Sequence, residues 1–240
     1  MYHPNLWFPR FRNDFIPAIR RVEEVFLQRL QPTFFSIEAE SEKLESDLWQ
    51  KAMAQPYYGD YSDEGEMAES VRDAAVSHYL GLKGMEQGLL NCCALFLYHL
   101  YEQQLMLFLR QELLDWRKKD NKNLYTHEQV RSRLKLANVD ITKFGAWPKL
   151  EELRHLANAI KHGEGKSSEE LLRVAPHLFE LADQSNAWPI SGRVFTPLLG
   201  EDICVRPTHI NEYADSLEQF WLELGDALTK NFESTNSSFF

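Results

Sequence analysis

Leu150-Glu-Glu-Leu-Arg-His-Leu-Ala-Asn-Ala-Ile-Lys-His-Gly-Glu-Gly165 reads as a helix closed by glycine. At about 100° per residue, Arg154, His155, Asn158, Lys161 and His162 share one side, within an arc of about 120°. Leu153, Leu156 and Ile160 fall on the opposite side. Gly163 and Gly165 suit the left-handed backbone that ends helices. An apolar stripe therefore anchors the segment while two imidazoles, an amide and two cations face outward together. Such a set handles phosphate and protons. It is equally what an ordinary polar face near a basic C-terminus contains, where cations complement the helix dipole.

Outward from this segment the chain stays helical. Gly145 and Trp147-Pro148 lead into it. Ser167 and Glu170 have the spacing of a capping box, which predicts a following short helix and hence an αα-hairpin. Upstream, Thr126 to Leu136 reads as a short helix and Met85 to Trp116 as the longest one. The run Cys92-Cys-Ala-Leu-Phe-Leu-Tyr98 is apolar all round and predicts the central core helix. Met67 to Leu80 is a further helix, with Gly81 and Gly84 as its divide from the next or as a place of close packing. Phe15 to Leu30 and Thr33 to Gln50 carry helical spacing as well, the second turning Ile37, Leu44 and Leu48 inward. Residues 1–13, broken by Pro4 and Pro9, read as extended, with Trp7, Phe8 and Phe11 packed on the domain surface. Val194 to Val205 has the pattern of a small β-hairpin turning near Gly200. His209 to Leu228 is the last amphipathic helix, with Tyr213, Leu217, Phe220, Trp221 and Leu224 on one side, and residues 231–240 read as a frayed tail. The expected architecture is all-α, a multi-helix bundle with a small β-hairpin near the C-terminus. Positions 1–240 form one domain in this reading, with an N-terminal extension.

The chain has 240 residues, 44% of them hydrophobic and 12% aromatic, enough for a sizeable core. Its net charge is −10, which argues against a general nucleic-acid binder but leaves room for a local basic cleft. Cys92, Cys93 and Cys204 lack the paired spacing of a zinc site and read as reduced core thiols of a cytoplasmic protein. The N-terminus has no secretory pattern. The most apolar stretch, 89–110, is broken by polar residues and falls short of a membrane span. The acidic, tyrosine-rich stretch 55–66 reads as a solvated connection or as a partner-binding or gating loop. The cations of Arg117 to Asn123 read as a solvated turn or a nucleic-acid contact.

Leu156-Ala-Asn-Ala-Ile-Lys-His-Gly163 resembles the Leu-Arg-Asn-x-Ile-x-His-Gly segment of HEPN domains. These are all-helical proteins, many of them metal-independent ribonucleases of toxin–antitoxin and antiviral systems. Their signature is an Arg, usually followed by a polar residue, then a His with four to six residues between it and the Arg. Asn158 matches the polar residue and His162 the His. The Arg position is Ala157, and the nearest Arg is Arg154, with seven residues between it and His162. The resemblance implies a HEPN-like domain and attack of a ribose 2′-hydroxyl on the adjacent phosphate. In that chemistry His162 moves the proton, since its reference pKa lies near neutrality. Arg154 reaches the non-bridging oxygens, Asn158 orients the His or the phosphate, and Lys161 and His155 bind substrate. It also implies a homodimer whose paired motif helices line one cleft, an RNA substrate, and a cognate antitoxin or defence-system protein as partner. No cofactor and no metal are expected. Glu152-Leu-Arg-His155 has the Glu-x-x-His spacing of di-iron bundles, but no second copy exists in the chain. Beside the nuclease stands a second reading, a non-catalytic HEPN-like binding or regulatory subunit using the same face for a protein or nucleotide partner.

Overall fold

The computed structural model describes residues 4–54, 64–179 and 202–237. These residues are all-α, with no strand among them. The helices are α1 (Pro4–Arg10), α2 (Ile16–Val25), α3 (Ile37–Ala54), α4 (Glu64–Phe108), α5 (His127–Leu136), α6 (Trp147–His162), α7 (Lys166–Val174) and α8 (Pro207–Ser237). The chain divides into two compact units, Met1–Glu24 with Leu90–Phe240, and Val25–Leu89.

In the larger unit the core gathers on α8. Tyr213, Leu217, Phe220, Trp221 and Leu224 are fully buried, the face expected from their spacing. Trp221 sits 4.8 Å from the Phe11 ring and 4.9 Å from Phe15. Trp7 meets Phe108 edge-on at 4.9 Å and its Nε1 donates to the Glu112 carboxylate at 2.8 Å. The N-terminal stretch is thus neither extended nor superficial. It is helical through Pro9, continues as a π-helical turn at Phe11–Phe15, and buries Trp7 and Phe11 completely. Aromatic burial outweighs the single backbone hydrogen bond that a proline removes. Arg20 of α2 donates to Glu218 at 2.6 Å and Asp215 at 2.7 Å, both on α8.

The run expected to be apolar on every side is buried only on one. Leu97, Tyr98, Tyr101 and Leu105 are interior, whereas Cys92 is exposed and Phe96 is 53% exposed. Cys93 and Cys204 are buried, as expected, and burial pushes the Cys93 thiol up to about 12. The expected β-hairpin falls partly on 194–201, outside the described residues. Its remainder, Asp202 to Val205, is not strand. The Asn91 amide donates to the Ile203 carbonyl at 2.9 Å and accepts from the Val205 N–H, while the Cys204 N–H donates to the Leu178 carbonyl. A side chain and a turn thus satisfy backbone groups that a ladder would otherwise have to pair. The final helix runs to Ser237, past the point where a tail was expected.

In the smaller unit, α3 and the portion of α4 before Leu90 are long but thinly buried. Among the described residues only Phe26, Ile37, Ser41 and Ala75 fall in its interior. Leu44 and Leu48, expected to face inward, are half-buried. The helix passes unbroken through Gly81 and Gly84, where a divide was expected. Neither glycine has a positive φ or a close neighbour, so nothing there interrupts it. Of the stretch 55–66, read as a loop, 55–63 lies outside the described residues and Glu64–Glu66 form the first turn of α4 instead.

Candidate functional site

The polar face lies on α6, which starts three residues earlier than the quoted segment, with Pro148 in its first turn. A missing N–H is harmless there. Leu150, Leu153, Leu156, Ala157 and Ala159 are buried, and Ile160 is half-buried. Gly163 ends the helix at φ 67° and its N–H donates to the Ala159 carbonyl at 2.8 Å. The cap of the next helix is Gly165, two residues before the expected Ser167. The Gly165 N–H donates to Ser168 Oγ at 3.0 Å, and that hydroxyl donates back to the Gly165 carbonyl at 2.8 Å.

The five outward side chains do not share one space. Arg154 and Asn158 line a cleft of about 770 Å³ formed with α5 and the buried half of α4. Asn158 and Lys161 line a neighbouring cleft of about 380 Å³, beside Cys92 and Phe96. His162 is exposed and lines neither. His155 is half-buried and turned toward Arg154.

Arg154 is closed upon its own helix. Its Nε and Nη2 donate to the two Glu151 carboxylate oxygens at 3.1 and 2.8 Å. That pair holds the guanidinium pKa above its ordinary value. Arg154 Nη2 also lies 3.1 Å from His155 Nε2. A guanidinium only donates, so Nε2 accepts and the proton of the neutral ring sits on Nδ1. That Nδ1 is buried without a partner. Burial, then the Arg154 charge, lowers the His155 pKa and favours this neutral form. The Glu-x-x-His carboxylate has different company: Glu152 is buried and accepts from Lys149 at 3.1 Å and from Tyr213 at 2.8 Å.

Across the larger cleft, residues that sequence reasoning passed over complete the lining. His127, which had no assigned role, stacks on Tyr98 at 6.1 Å and 9°, and its Nε2 lies 3.3 Å from Glu102. Burial pushes the Glu102 carboxyl up, but the His127 and Tyr98 hydrogen bonds outweigh it and leave the pKa below its ordinary value. The Arg131 guanidinium stands 5.6 Å over the Trp147 ring. Lys135 lines the same wall. Cations and carboxylates alternate, with Glu128, Asp140 and Glu151 also present, so the cleft is polar rather than uniformly basic. The spacing of Arg131 and Lys135, one turn apart on α5, was the only sequence signal for them. Among the described residues no cluster of His, Cys, Asp and Glu is arranged to hold a metal ion, and no helix is long and apolar enough to cross a membrane. No family model, no curated protein and no solved structure matches this chain.

Proposed function

We propose that this protein is a non-catalytic HEPN-like binding module whose α4–α5–α6 cleft takes a nucleotide. The observation that carries the reading is the separation of the two groups a nuclease needs together. Arg154 is neutralised by Glu151 inside the cleft, while His162 stands exposed outside its lining. A general acid–base and its charge stabiliser must act on one phosphate, and errors of about 1 Å cost roughly a hundredfold in rate. The cleft's 770 Å³ falls within the size range of small-molecule sites. Trp147 offers a ring surface, Arg131 and Lys135 offer positive charge for phosphate, and Asn158 with Glu102 offers hydrogen bonds for base or sugar.

Calorimetric titration of the whole chain with nucleoside mono-, di- and triphosphates tests this. Binding of at least one, weakened about tenfold or more by Arg131→Ala and by Asn158→Ala, is expected. Total RNA incubated without metal stays intact. Metal-free RNA cleavage that His162→Ala abolishes in a still-folded protein would overturn the reading. That result would restore a nuclease built by a second copy meeting Lys161 and His162. Absence of any nucleotide binding would overturn it as well.

A further inference from the structure

The smaller unit has a chemistry of its own. Positions 25–89 hold twelve Asp and Glu against five Lys and Arg, so they carry −7 of the chain's −10. Their helices are at the same time rich in uncovered apolar side chains. Met53 is 58% exposed, Leu80 61% and Met85 60%, and Trp49 and Val76 are exposed too. Of the 18 residues of α3 only Ile37 and Ser41 are buried. Helices of this length gain most of their stability from packing apolar surface, and here much of that surface has no cover among the described residues.

Between α3 and α4 lies a groove of about 450 Å³. Trp49, Ala68 and Val71 make its apolar lining, and Glu42, Glu45 and Ser46 its polar edge. Glu38, one turn before Glu42, pairs with Lys83 at 3.4 Å. Glu42 and Glu45 are exposed, and no ion pair to either occurs among the described residues.

We propose that this groove is a docking surface for a basic amphipathic helix of a partner protein. An apolar stripe on that helix covers Trp49 and Val71, and Lys or Arg side chains flanking the stripe meet Glu42 and Glu45. Lys and Arg stems pack on an indole while their charged heads reach a carboxylate, so a groove with a Trp lining and a Glu edge suits them. The charge excludes the two simplest alternatives. A second copy brings another −7 against the first, and nucleic acid or an anionic membrane is repelled in the same way. The proposal is independent of the nucleotide cleft, with which it shares no residue.

The probe is a fluorescein-labelled Leu/Lys amphipathic peptide of about 18 residues, roughly 27 Å as a helix, read by anisotropy against the whole chain. A Leu/Glu peptide of the same pattern is the control. The basic peptide binds and the acidic one does not. Glu42→Lys with Glu45→Lys weakens binding about tenfold or more, Trp49→Ala does the same, and added salt weakens it further. Asp120→Lys with Glu169→Lys changes the net charge equally outside this unit and leaves the affinity within about twofold. Circular dichroism confirms that each variant is folded. The proposal fails if the two double variants weaken binding equally, if the acidic peptide binds as well as the basic one, or if Trp49→Ala abolishes self-association of the chain alone.

Discussion

Helices α8 and α3 carry similar sequence patterns and meet different fates. In α8 the apolar stripe from Tyr213 to Leu224 is wholly interior and meets aromatic rings from α4 and the π-helical turn at Phe11–Phe15. In α3 the stripe of Ile37, Leu44 and Leu48 is fully interior only at Ile37, and Trp49 and Met53, on another side of the helix, are exposed. Periodicity makes both segments helical, because it is a property of neighbours three and four residues apart. Burial depends on what the rest of the chain brings to that face. The two regions therefore differ in what holds them, and substitutions that treat them alike expose the difference.

The largest effect belongs to the covered stripe. Trp221→Ala removes a fully buried ring and costs about 3–5 kcal/mol in urea denaturation of the larger unit. A loss below about 1 kcal/mol would mean that α8 is not the centre of this core. Next is Tyr213→Phe, which takes a hydrogen-bond donor from the buried Glu152 carboxylate while Lys149 remains, at about 1.5–3 kcal/mol.

Gly225→Ala comes third. A Cβ there stands 2.1 Å from the Phe8 ring, so the ring must move. Overpacking of about 1–3 kcal/mol, partly offset by about 1 kcal/mol of better helix propensity, leaves a net loss near 1 kcal/mol.

Smaller still is a pH effect confined to the larger unit. Burial lowers the His155 and His209 pKa values, so each stays neutral in the folded chain where the unfolded chain takes up a proton. Stability is complete above about pH 6.5 and declines as pH falls from there toward the folded-state values. A thermal melt series from pH 7.5 to 5.5 should show a falling Tm, and His155→Gln should flatten it. The smallest effect is at the exposed end of α3, where Trp49→Ala changes stability by no more than about 0.5 kcal/mol. A loss as large as that at Trp221 would show that Trp49 is covered after all.

Much of the candidate site was legible before any coordinates. The α6 helix, its apolar anchor at Leu153 and Leu156 and its glycine stop at Gly163 follow from residue spacing and from the one backbone conformation that favours glycine there. The pairing of Arg154 with Glu151 was also within reach, because three residues separate them and such pairs meet on a helix surface. The opposite wall of the cleft was out of reach: Tyr98 and Glu102 are one turn apart on α4, but only packing brings His127 of α5 to them and the three to Arg154 of α6.

The amino-acid order alone determined the helical character of most of the described residues, the glycine stop of α6 and the buried face of α8, since each rests on interactions within a few residues. Tertiary structure decided that Trp7 and Phe11 belong to the core despite Pro9, and that Cys92 and Phe96 lie outside it. It also drew His127 and Arg131 into one cleft with Arg154. Those outcomes turn on which surfaces meet. The free energy of covering an aromatic ring exceeds the local preferences of a proline, and local spacing holds no information about a contact a hundred residues away.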